Sequence, residues 1–191
     1  MSAAPPSLST NPTATRSIWK IDPSHSLAEF TVRHMMVSSV KGRFSDIQGT
    51  IVDVAEDPTL SSVEVTIDPA SITTSDPQRD THLRSPDFFD IEKYPAITFK
   101  SRRIEGSRDE FKLIGDLTMR DTTREIELKV TFNGIGASPW GKQVAGFSAE
   151  GKLNRKDWGL NWNVALEAGG VLVSDHIKLN LEIEAIKEDA A

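Results

Sequence analysis

Apolar and polar residues alternate one by one through most of this chain. Ile126, Leu128, Val130 and Phe132 are separated by Glu127, Lys129 and Thr131. Ile177, Leu179, Leu181 and Ile183 are separated by Lys178, Asn180 and Glu182. Successive side chains of a strand point to opposite faces, so a period of two predicts β-strands with one buried face. The same pattern runs through residues 28–34, 63–67, 97–101 and 111–117, and further strands are expected at 18–22, 40–44 running into 47–54, and 143–153. The expected total is eight or nine. Glu105-Gly106-Ser107, Asn133-Gly134 and Asp57-Pro58 punctuate them as turns. Short connections favour antiparallel pairing, and no strand–helix rhythm suggests a parallel sheet. The pattern predicts an all-β fold: an antiparallel up-and-down β-barrel of about eight strands, because closure removes exposed edges. A β-sandwich carries the same alternation.

Two stretches break the period. Residues 69–94 hold a short helical insert, with Asp76 placed to cap a helix that Pro77 opens and Ser85 placed to cap a second turn before Pro86. The insert carries Leu83, Phe88, Phe89 and Ile91. Residues 154–175 are irregular and carry Trp158, Trp162 and Gly169-Gly170. Residues 1–16 are small, polar and proline-bearing, too poor in apolar surface to order themselves, and are expected to form a disordered N-terminal tail. Residues 17–191 remain as one domain.

Composition narrows the function. With 22 basic and 28 acidic residues the net charge is −6, which argues against nucleic acid and anionic membrane surfaces as partners. No apolar run is long enough for an integral membrane segment. The absence of cysteine excludes disulfides, thiolate metal sites and a cysteine nucleophile. The start of the chain lacks the basic and apolar regions of a secretory signal, so the expected compartment is the cytoplasm.

Five ordered blocks resemble one family. The opening stretch carries Asp22, His25, Ser26, Phe30, Val32, His34, Val40, Gly42, Phe44 and Gly49, and the insert carries Asp80, Leu83, Ser85, Phe88, Phe89, Asp90, Pro95 and Phe99. Gly115, Leu117, Thr118 and Thr122 form a third block, Arg155, Asp157, Trp158 and Gly159 a fourth, and the last strand a fifth. Together, over roughly residues 18–186, they resemble the YceI-like, polyisoprenoid-binding family. Asp121 stands where many relatives carry a turn glycine, a geometry aspartate tolerates. The resemblance implies that residues 17–191 are a YceI-like, lipocalin-like β-barrel. It also implies an apolar tunnel for a long isoprenoid lipid, an isoprenoid quinone or a polyprenyl phosphate.

Candidate ligand-binding residues follow from the inward stripe and the insert: Phe30, Val32, His34, Phe44, Leu83, Phe88, Phe89, Phe99, Leu117, Met119 and Trp158. Apolar walls alone can hold such a chain, since each buried methylene contributes about 0.8 kcal/mol. A filled core explains the same stripe. A mouth near the insert would meet the polar head, with His25, Arg79 and Arg84 as head-group candidates. Imidazole can donate to a phosphate or a quinone carbonyl, and guanidinium forks bind phosphate. Arg33, Lys41, Arg43 and Arg155 are further cations that a diphosphate could meet. His25, His34, His82 and His176 show no metal-ligand spacing, so neither a metal nor another cofactor is expected. Ser24, Ser26 and Ser174 lie near histidines, but no nucleophile elbow is present. The expected activity is binding, carriage or sequestration of the lipid without turnover. The rivals are an enzyme acting on a similar lipid and a stress-response interaction module with a filled core. An exposed edge or the Trp140 loop could pair two copies as a homodimer.

Overall fold

The computed structural model describes residues 15–167 and 169–189. Most of the expected tail, residues 1–14, lies outside the described residues. Ten long strands and one short one carry the chain: β1 (Arg16–Ile21), β2 (Leu27–His34), β3 (Ser38–Phe44), β4 (Ile47–Val54), β5 (Ser62–Ile67), β6 (Ile72–Thr73), β7 (Ile97–Gly106), β8 (Glu110–Met119), β9 (Thr122–Ala137), β10 (Gln143–Asn154) and β11 (Val173–Lys187). All named pairings are antiparallel. The order β1-β4-β5-β7-β8-β9-β10-β11 closes on itself when Trp19 meets Lys187, giving an eight-stranded barrel.

The remaining strands branch from this ring. β11 is long enough to serve two neighbours on one edge: its C-terminal end pairs with β1 and its earlier part with β2, continuously from Ile177 opposite Val32 to Glu182 opposite Leu27. β3 adds to β2, and the two-residue β6 adds to β3. Alternation cannot be read over two residues, so β6 was invisible to the pattern.

Two register shifts decide which side chains face inward. Between Ser101 and Arg103 the pairing of β7 with β8 slips by one residue. Strict alternation from Ile97 and Phe99 would send Ser101 and Arg103 inward; after the bulge Ile104 is buried instead. Opposite Gly146/Phe147 the extra residue Asn133 changes the phase of β9, so that Ile135 pairs with the buried Ala145.

The insert fills the space beside β6. Asp76 caps α1 (Pro77–Arg84) by accepting from the N–H groups of Gln78 and Arg79, each at 3.1 Å, with Pro77 first in the helix, as its sequence position suggests. Ser85 ends α1 rather than starting a second helix: its hydroxyl donates to His82 O at 2.7 Å, and its carbonyl accepts from Phe88 N–H in the turn that follows. Asp80 is buried and accepts from both N–H (2.8 Å) and hydroxyl (2.6 Å) of Thr74. In the β8–β9 turn the left-handed residue is Arg120, at φ 56°, not Asp121. Asp121 accepts from Thr122 and from the Tyr94 hydroxyl instead.

Candidate functional site: an apolar cavity in the barrel

The inward faces of the ring do not meet. They enclose a cavity of about 300 Å³, at the lower end of ligand-pocket size. Its walls come from all eight ring strands, from β2 and β3, and from the insert. The stripes Ile126/Leu128/Val130/Phe132 and Ile177/Leu179/Leu181/Ile183 both line it. The lining is almost wholly hydrocarbon; its charged members are Glu29, Asp53, Arg108 and Arg155.

Two phenylalanines show how the space stays open. Phe30 lies against Gly42, and Phe99 against Gly115, so close that a Cβ on either glycine would clash with the ring. The missing side chains let the rings lie down along the wall instead of projecting to the axis. Phe44 extends this aromatic wall, with its ring centroid 5.8 Å from Phe30 and 5.7 Å from Phe89 of the insert.

Of the eleven apolar-site residues expected from sequence, nine line the cavity: Phe30, Val32, Phe44, Leu83, Phe88, Phe89, Phe99, Leu117 and Met119. His34 and Trp158 are not part of that lining. His34 sits at the end of β2, opposite Ser38. Trp158 is 2% exposed, and its indole N–H donates to Leu117 O at 3.0 Å, which fastens the 155–158 turn to β8.

The three head-group candidates are held away from the lining. Arg79 donates to Thr74 Oγ1 (2.7 Å) and Thr74 O (2.9 Å). Arg84 donates to Ala70 O (2.9 Å) and Ile72 O (2.7 Å). Both guanidiniums tie α1 to residues 70–74, the stretch that holds β6. His25 lies outside the barrel, at the β1–β2 corner, with Nδ1 2.8 Å from Asp22 Oδ2 and 3.7 Å from Glu184 Oε1. The hydrogen bond that His25 donates to Asp22, and the charge of Glu184, hold His25 above its ordinary value of 6.5. Hydrogen bonds from Ser24 and His25 hold Asp22 below its ordinary value.

Asp22, Ser24 and His25 do not form a relay. His25 Nδ1 faces both Asp22 and Ser24 Oγ (3.2 Å), and Ser24 Oγ donates to Asp22 at 2.6 Å. A Ser–His–Asp triad uses opposite ring nitrogens for its two partners. The cluster is a corner cap, with Ser24 N–H also bonded to Asp22. Among the described residues, Asp22, His25 and Glu184 are the group whose donors lie close enough to hold a cation. In this arrangement Nδ1 is already committed to Asp22.

Arg155 is 3% exposed, and burial pulls it below its ordinary value while the charge of Asp175 opposes this. Its guanidinium donates to the carbonyls of Leu160, Trp162, Val173 and Ser174 and to Asp175. It is a buried brace for the 160–174 segment.

The two ends of the cavity differ. At the insert end, Phe88, Leu160 and Arg155 are all buried. The lining residues that also reach the surface, Ile135 (51% exposed) and Arg108 (42%), lie at the opposite end. There the β7–β8 turn crosses to β4: Arg108 donates to Asp53 Oδ2 at 3.2 Å, with its guanidinium 5.9 Å from the centre of the Phe132 ring. The sequence reading missed Arg108, Asp53 and Ile135, because arginines and aspartates are common in turns and Ile135 falls out of phase after the bulge.

Known proteins share this architecture. A 38% identical relative, UPF0312 protein SA2479 from Staphylococcus aureus (strain N315), aligns over 85% of this chain and 94% of its own. The crystal structure of the Campylobacter jejuni YCEI protein is 32% identical, with a TM-score of 0.70 over 82% of this chain and 90% of that one. A polyisoprenoid binding domain from Saccharophagus degradans, implicated in plant cell wall breakdown, is 12% identical and shares the fold at a TM-score of 0.64, over 92% of this chain and 99% of that one. The model of the YceI-like domain matches residues 19–185, and the chain belongs to that family.

Proposed function

We propose that this protein binds and carries a long-chain isoprenoid lipid in its barrel, without turnover. The observation that carries this reading is the hydrocarbon cavity itself. A filled barrel would close over its core, whereas here the rings of Phe30 and Phe99 lie along the wall beside glycines and leave about 300 Å³ open. Each methylene that enters contributes about 0.8 kcal/mol, so a chain of a few isoprene units gains enough to offset its lost freedom. The fold shared with a polyisoprenoid binding domain supports the same ligand class. The corner cap at Asp22, Ser24 and His25 lies outside this cavity and lacks relay geometry, which favours binding over catalysis. Residence in the cytoplasm, and pairing of two copies through the 84% exposed Trp140, belong to the same proposal.

Native mass spectrometry of the protein purified from its own host, followed by extraction and lipid identification, tests this reading. A bound species with an isoprenoid fragmentation ladder is expected. An empty protein that also takes up neither added quinones nor polyprenyl phosphates would overturn it.

A further inference from the structure

The cavity's charges carry information about the ligand's head. Arg155 has its donors committed to four carbonyls and one carboxylate and offers nothing to a ligand. Glu29 is engaged by Lys41 at 3.1 Å. Arg108 is different. Its described bonds are one from Nη2 to Asp53 (3.2 Å) and a long one from Nη1 to Ala55 O (3.4 Å), so Nε–H and one N–H on each terminal nitrogen have no protein partner among the described residues. The guanidinium stands beside Phe132, a wall of the cavity, and Ile135 of the same strand reaches from the lining to the surface.

We propose that the ligand's head sits at this end, beyond Phe132, and that it is an uncharged group that accepts hydrogen bonds from Arg108. This rests on the lipid-binding reading above and narrows it. Asp53 excludes the charged alternative. It shares the site with Arg108 and brings the local charge to zero, and Glu56 and Asp57 follow on the same connection. A phosphate or diphosphate would face the Asp53 carboxylate with a single, already paired cation to receive it. Phosphate sites instead gather several cations that no neighbouring carboxylate has already neutralised. A carbonyl-bearing ring suits the place: its oxygens accept from the free N–H groups, and its face can lie against Phe132.

The test measures binding to the full-length protein of three lipids with the same isoprenoid tail: a quinone, a polyprenyl phosphate and a hydrocarbon without a head. The quinone is expected to bind tightest and the phosphate at least about tenfold more weakly. The Arg108→Ala variant is expected to lose about tenfold for the quinone and nothing for the hydrocarbon, as removal of a charge-assisted hydrogen bond would do. Asp53→Asn is expected to improve phosphate binding, and it decides the question by itself if Arg108→Ala fails to fold. Tighter binding of the phosphate to the wild-type protein, or equal losses for quinone and hydrocarbon in Arg108→Ala, would overturn the head-group assignment while leaving lipid binding intact. Binding of none of the three would overturn both.

Discussion

Replacing Gly115 by alanine tests how the cavity is kept open. A Cβ at this position would lie 2.5 Å from Lys100 O on β7 and 2.6 Å from Cζ of Phe99. Real Cβ atoms essentially never come within 3.0 Å of another heavy atom, so the β7 backbone must retreat by about 0.5 Å and the ring must swing inward. Overpacking of this kind costs about 1–3 kcal/mol, or roughly 2–12 °C in melting temperature for a domain of this size. The displaced ring has only the cavity to enter, so lipid capacity should fall as well. Thermal unfolding and titration with an isoprenoid lipid read the two effects separately. Gly136→Ala is the control: its nearest neighbour would be Val144 Cγ2 at 3.6 Å, an ordinary contact, and a change within about 0.5 kcal/mol is expected. Adding Phe99→Leu to Gly115→Ala should recover part of the loss, because the ring contact goes while the Lys100 carbonyl stays. A Gly115→Ala protein that melts with the wild type and binds as much lipid would refute the argument that the ring lies flat against the wall.

Three further outcomes are expected. Trp158→Phe leaves the buried Leu117 carbonyl without its indole donor and should cost about 1–3 kcal/mol in urea unfolding. Arg155→Met strands four carbonyls and Asp175 at once; about 3–5 kcal/mol should be lost, with faster amide exchange across residues 160–174 than elsewhere. The Asp22–His25 pair should shape stability against pH: the raised His25 contributes fully below its ordinary 6.5 and loses that contribution as pH rises through its folded value. Asp22, held low, contributes above its ordinary 3.8 and loses this as pH falls. His25→Ala should therefore flatten the limb above pH 6.5, and a limb that persists unchanged would assign it to other groups.

The strands were legible because their signal is local. Side chains of a strand that faces a core must alternate, and the stripes of β9 and β11 record this residue by residue, as does the Asp76-Pro77 start of α1. Barrel closure was legible only as the economical way to remove edges; the pairing of Trp19 with Lys187 that performs it joins opposite ends of the chain. The head-group candidates show where local reading stops. Arg79, Arg84 and Arg108 look alike in sequence, yet the first two are spent on the carbonyls and hydroxyl of residues 70–74, and the third meets Asp53 across 55 positions. The bulges at Ser101/Arg103 and Asn133 reversed the inward phase where alternation predicted it would continue. The sequence by itself determined that this chain makes antiparallel strands with one apolar face, since that depends on neighbours two residues apart. Only the tertiary structure decided that those faces enclose a cavity rather than a solid core, because empty volume depends on how distant strands are spaced and on where each ring can lie down.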